Sequence, residues 1–212
     1  TTADDICWTL NIRGDDIDYF PLLLSYAIIT PEDYHLYVDK AKLSDEIKGH
    51  LAELGVTLHP YNDVYEDVKG ITAEHKVMLD PHKVNYALYS NISSEVPKVN
   101  CMSPEECFKT VKNPVEIENI KKAELKDSVA HIRFMKWLKE NVGKIRITEI
   151  SASDKLDEFR KEMGNYIKPS FEPISSYAEH AAIVHYAPTP ETDVELKPEG
   201  MLLTDTGAGF WE

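Results

Sequence analysis

Two apolar periodicities alternate along this chain in a set order, and that order limits the folds open to it. Leu22-Leu23-Leu24-Ser25-Tyr26-Ala27-Ile28-Ile29 is a nearly continuous apolar run, the pattern of a strand buried on both faces. Pro31-Glu32-Asp33 reads as a turn. Tyr34 to Val38 alternates, which predicts a second strand paired to the first as a hairpin. Leu43, Ile47, Leu51 and Leu54 then recur at helical spacing and Gly55 follows them, so an amphipathic helix with a left-handed C-terminal stop is expected. Val56-Thr57-Leu58 reads as a strand, Val64 to Ile71 as a short helix and Val77 to Asp80 as a strand. Pro81 can start a helix running through Tyr86 and Tyr89. Alternating strands and helices over residues 1–110 make an α/β layer domain.

Residues 111–212 have a different texture. Asn113 is a good N-cap and Pro114 suits the first helical position. Ile117, Ile120, Leu125, Ile132, Met135 and Leu138 fall mostly on one stripe, predicting a long helix stopped by Gly143. Thr148 can cap a second helix that carries Ile150, Leu156, Phe159 and Met163 inward, with Gly164 near its end. Phe171–Ile174, Ala181–Tyr186 and Met201–Asp205 are short strand-like runs separated by prolines and polar turns. Two helices followed by strands suggest an α+β domain. Gly207-Ala208-Gly209-Phe210-Trp211 reads as a hairpin entered but not completed, so this domain is expected to be cut short.

Charge excludes several partners. Acidic residues number 37 against 23 basic ones, a formal net charge of −14. A nucleic-acid binder needs a basic face to neutralise phosphates, so no nucleic-acid partner is expected. An anionic membrane surface is disfavoured for the same reason. The longest apolar run, Pro21 to Ile29, is far short of the roughly 20 residues that span a bilayer. The acidic start has no basic segment of a signal peptide. Cys7, Cys101 and Cys107 cannot all pair and lack zinc-knuckle spacing. Free thiols in a reducing cytoplasm are the plain reading.

Few residues could carry chemistry. His185 ends the apolar run Ala181-Ala182-Ile183-Val184, where a histidine is most often structural; alternatively a strand end presents the imidazole to a cleft. His180 lies five residues earlier, and on a strand that odd separation would point the two side chains to opposite faces. Asp205 sits in Leu202-Leu203-Thr204-Asp205-Thr206-Gly207-Ala208-Gly209. It is either a turn residue or a hard oxygen ligand at the mouth of a sheet, with the glycines letting the backbone turn tightly beside it. Arg13-Gly14-Asp15 matches the adhesion tripeptide by letter only, and Gly14 more plausibly makes a turn. The histidines at positions 35, 50, 59, 75, 82 and 131 are scattered and carry no assigned role.

A set of short motifs gives the chain a resemblance. Asp5-Ile6-Cys7-Trp8-Thr9-Leu10-Asn11-Ile12-Arg13-Gly14 looks like the D-I-x-W-x-x-N-x-R-G start of the middle domain of the large Xaa-Pro aminopeptidases, or aminopeptidase P. Ser25–Ile29 fits the same domain. Val111-Lys112-Asn113-Pro114-Val115-Glu116 with Lys126-Asp127, then Thr148–Lys155, resemble the first two helices of that family's catalytic domain. Phe171–Ser176, His185-Tyr186-Ala187-Pro188 and Thr204–Ala208 follow in the family's order. The resemblance covers essentially the whole chain.

The resemblance implies a pita-bread metallopeptidase, similar to prolidase, creatinase and methionine aminopeptidase. The expected fold is an α/β middle domain, like the creatinase/prolidase N-terminal domain, followed by the beginning of an α+β pita-bread catalytic domain. It implies release of the N-terminal residue from peptides with Pro second, using two divalent metal ions, usually manganese. By the same resemblance Asp205 matches the first metal ligand and His185 the substrate-contacting histidine near the metals. A homodimer in the full-length protein is also implied, while the cytoplasmic location is read from the free thiols. The family's second Asp, its His and both Glu ligands find no match, and Glu179-His180 stands where a more Gly-rich turn is common. These residues alone are therefore expected to bind metal weakly and to be inactive. Prolidase, or a non-catalytic pita-bread peptide-binding module, are the alternatives. Retention of both Asp205 and His185 argues against the module.

Overall fold

A computed structural model describes residues 2–212, which divide into two compact units, the first ending at Lys112 and the second running Asn113–Glu212.

The first unit opens with α1, Ala3–Leu10, whose N-cap Thr2 bonds through its hydroxyl to the Asp5 carboxylate. It ends at Asn11, which takes the left-handed conformation. The strands β1, Ser25–Ile29, and β2, Tyr34–Val38, form the expected hairpin, antiparallel in register from Ser25–Val38 to Ile29–Tyr34. Helix α2, Asp45–Glu53, begins where Ser44 Oγ accepts from the Ile47 amide. It is the crossover that a parallel pairing requires, and it delivers β3, Val56–His59, parallel to β2. Sheet order is β1-β2-β3. Leu36, Val38 and Leu51 pack with Ile6 and Leu10 in a dry core. Then follow α3, Val64–Asp67; β4, Val77–Leu79; α4, Tyr86–Asn91; β5, Lys98–Asn100; and α5, Pro104–Thr110. β4 and β5 pair in parallel. A second core holds Tyr37, Val64, Leu88 and Val96.

Three expectations in this unit need correction. Leu22–Leu24 lies outside the first strand, and β1 is an edge strand with Ile29 exposed, not one buried on both faces. No helix starts at Pro81; Asn85 caps α4 instead, its side chain accepting from the Leu88 amide. Gly14 is needed for close approach, because a Cβ there would meet the Leu22 and Leu23 backbone at 2.7 Å.

The second unit begins with α6, Pro114–Asn141. Asn113 caps it as expected: its Oδ1 accepts from the Glu116 amide at 2.9 Å while Glu116 Oε2 accepts from the Asn113 amide at 2.8 Å, a reciprocal capping box. Helix α7, Glu149–Glu162, follows Thr148, whose hydroxyl accepts from the Ser151 amide. Strands β6, Tyr166–Pro169; β7, Ile174–Tyr177; β8, Leu202–Asp205; and β9, Ala208–Phe210 form two antiparallel pairs, β6 with β9 and β7 with β8. Ala130, Phe134, Ile147, Ala152, Leu156 and Leu196 make the core.

Here too the sequence expectations shift. The stripe Ile117, Ile120, Leu125, Ile132 and Met135 is exposed, and α6 buries Ala130 and Phe134 instead. Residues 207–211 do not form a hairpin with the strand before them: β9 pairs with β6, and the Trp211 amide donates to the Asn165 carbonyl. Ala181–Tyr186 is not a strand. A 3₁₀ turn spans Ala178–Ala182 and a further turn follows. Ile183 and Val184 are exposed, Val184 to 83%, because no neighbouring strand pairs with them. All three cysteines are free thiols, and no helix among the described residues is long and apolar enough to cross a membrane.

Candidate functional site

The candidate site is built on the β7–β8 pair. Side chains alternate across a strand, so Leu202 and Thr204 share one face of β8, and Leu203 and Asp205 the other. Leu202 and Tyr177 pack against the helical core. Asp205 therefore lies on the face turned away from that core, at the strand end, exposed and opposite Ile174. Its side chain has no hydrogen-bond or ion-pair partner among the described residues. A solvated carboxylate at a strand end is a suitable hard oxygen donor.

The turn after Asp205 is fixed from beneath. Arg160 on α7 is buried, and its Nη2 donates to Thr206 Oγ1 at 3.0 Å while its Nε donates to Asp127 Oδ1 at 2.7 Å. Gly207 comes next, where a Cβ would lie 2.1 Å from Ser170 Oγ and 3.1 Å from the Phe171 ring, so any side chain would force these neighbours to shift. The glycine thus serves close packing against β6's end, and the Ser170 amide donates to its carbonyl.

His185 is placed differently from its expectation. It sits in a turn with φ 58°, exposed, and not at a strand end. The odd-spacing argument for His180 and His185 on opposite strand faces therefore has no strand to act on. The two candidates, His185 and Asp205, share no hydrogen bond or ion pair among the described residues.

Sequence reasoning missed the buried group that organises the His185 segment. Glu149, the first residue of α7, is fully buried. Its carboxylate accepts from the Tyr177 amide at 2.6 Å, faces His180 Nδ1 with both oxygens at 3.0 Å and accepts from the Tyr186 hydroxyl at 3.3 Å. The His180 and Tyr186 rings lie 4.4 Å apart. Burial pushes the Tyr186 phenol up, and Glu149 adds to the shift, against a lowering bond with Thr192. A buried acid at a helix start gives no periodic signal, so only its position after the Thr148 cap could have marked it.

Among the described residues no three His, Cys, Asp or Glu side chains gather to hold a metal ion. Asp205 has the right donor chemistry, but one carboxylate does not make a two-metal site.

Comparison with known proteins gives the following. The Creatinase/Prolidase N-terminal domain family matches residues 1–116, and Metallopeptidase family M24 matches residues 118–211. A probable Xaa-Pro aminopeptidase P of Sordaria macrospora is 34% identical over 99% of this chain and 36% of its own length. Aminopeptidase P1 of Arabidopsis thaliana is 32% identical over 98% of this chain and 39% of its own length. The crystal structure of an X-prolyl aminopeptidase from Caenorhabditis elegans, described as a cytosolic enzyme with a di-nuclear active site, superposes with a TM-score of 0.92 at 33% identity. It is covered over 98% of this chain and 35% of that one. The chain thus spans about a third of the length of the curated relatives it matches.

Proposed function

The chain belongs to the creatinase/prolidase family, in its aminopeptidase P group with the M24 metallopeptidase domain, and from that premise we propose that the full-length protein is a metal-dependent aminopeptidase releasing the N-terminal residue from peptides with Pro in second position. The observation that carries this reading is Asp205 at the end of β8, on the face away from the helices, with its following turn held by Arg160.

In this proposal Asp205 supplies one oxygen ligand to a pair of divalent metals, manganese by preference. When bound, such a pair supplies Lewis-acid polarisation and lowers the pKa of a bound water. Arg160 and Thr206 keep the carboxylate's turn in place. His185 offers an exposed imidazole to hydrogen-bond the peptide near the scissile bond and steady developing charge. A homodimer and a cytoplasmic location belong to the same proposal; the cytosolic description of the Caenorhabditis elegans enzyme supports the latter.

The test is hydrolysis of an Arg-Pro-Pro type peptide by the full-length protein with added manganese. Metal-dependent release of the N-terminal residue is expected, and its absence overturns the reading. A peptide-length series separates this activity from a prolidase, which would accept dipeptides only.

A further inference from the structure

Ala178 and His185 bound the segment that carries the candidate imidazole, and both adopt left-handed backbone, with φ 52° and 58°. Neither is glycine, so the segment holds two conformations that side chains disfavour. Such a conformation persists where the surroundings over-determine it. Here the surroundings converge on one carboxylate. Glu149 takes the Tyr177 amide just before the first left-handed residue. It takes His180 within the segment and Tyr186 just after the second. Tyr186 is held from the other side by Thr192 Oγ1 at 3.0 Å. Glu149 is in turn fixed at the start of α7, where its amide donates to Val194 and the next amide, Ile150, to Asp193 Oδ1.

We propose that Glu149 is the positioning residue for His185: its buried carboxylate ties both ends of the 178–186 segment and so sets where the exposed imidazole meets substrate. The inference rests on the reading of His185 as the substrate-contacting histidine. His180 is its accessory, its Nδ1 lying 3.0 Å from both Glu149 oxygens.

The experiment is a double-mutant cycle in the full-length, manganese-loaded protein, with kcat and KM for an Xaa-Pro peptide and manganese affinity measured for each variant. Glu149→Ala is expected to lower kcat/KM on the order of tenfold to a hundredfold, the loss a misplaced group causes, with manganese affinity unchanged. Glu149→Gln, which keeps an acceptor for the Tyr177 amide, should recover most of it. The double variant with His185→Ala should lose no more than His185→Ala alone, since the two act as one unit. Losses that multiply, with His185→Ala itself impaired, overturn this inference and leave the His185 reading standing. A His185→Ala enzyme with unchanged kcat and KM overturns the His185 reading and this inference with it. Should Glu149→Ala fail to fold, Tyr186→Phe takes its place in the cycle under the same criteria.

Discussion

Arg160 donates through Nε to Asp127 Oδ1 at 2.7 Å, joining α7 to α6 by a guanidinium whose side chain is only 2% exposed. The same group reaches Thr206, so a helix-to-helix tie and the turn beside Asp205 depend on one side chain. Removing one member of a buried pair leaves an uncompensated charge or an empty socket. Arg160→Ala is predicted to destabilise the protein by about 2–3 kcal/mol, below the fully buried case because the Asp127 carboxylate keeps some contact with water. Urea melts measure it. The double replacement Arg160→Met with Asp127→Leu should be closer to the parent than Arg160→Ala, and equal melts for all three chains would refute the assignment.

Asp205→Asn should separate stability from chemistry. The side chain is exposed and has no partner among the described residues, so its exchange is expected to move stability by less than about 0.5 kcal/mol. Activity of the full-length protein should fall on the order of a hundredfold or more if the carboxylate holds metal. An active Asp205→Asn enzyme would remove this residue from the proposal.

Alkaline pH should unfold the protein from the first unit and from β6 together. Burial raises the phenols of Tyr34, Tyr37 and Tyr166 well above their ordinary value of 10.0, helped by Asp67 beside Tyr37 and Asp157 beside Tyr166. The fold favours the neutral phenol. The unfolded chain gives up these protons first, so stability is complete below pH 10 and falls above it. Ultraviolet titration should show a normal group of tyrosines ionising near 10 and a second group ionising only with loss of structure. Free titration of all 11 tyrosines in the folded state would contradict this. Tyr34→Phe removes a buried hydroxyl that lacks a hydrogen-bond partner among the described residues and should be neutral or stabilising.

Gly207→Ala places a methyl against Ser170 Oγ and the Phe171 ring. Overpacking of this kind costs about 1–3 kcal/mol, read as a lower midpoint in thermal unfolding. Ser170→Gly in the same chain should restore part of the loss. Gly207→Ala with unchanged stability would show that the close approach is not needed.

Legibility varied with the length and partnering of each element. β2 could be read from its alternation, α2 from its helical spacing, and α6 and α7 from their caps, since Asn113 and Thr148 accept the amides that cap chemistry predicts. α1, α5 and β5 are too short for periodicity to separate them from loops. The apolar stretch Ile183-Val184 misled because apolar composition marks a strand only where a neighbour pairs with it. On α6 the eye follows the larger aliphatic residues, yet the small Ala130 lets α7 approach and Phe134 fills the gap. For the site, the residues alone left His185 and Asp205 with structural readings at least as good, and the resemblance singled them out. Glu149 and Arg160 escaped both approaches, because burying a charge depends on partners distant in sequence.

The partners of Glu149 lie 28, 31 and 37 residues away along the chain. Each contact closes a long loop, and loop closure is entropically costly before the contact forms. The segment that carries His185 cannot therefore settle until α7 has begun and the β7–β8 pair has brought Tyr177 back to it. Maturation of the candidate site is then a late event in folding and an early one in local opening. Amide exchange at His180 and Tyr186 should accordingly outpace that of mid-α7; equal protection of both would contradict this order.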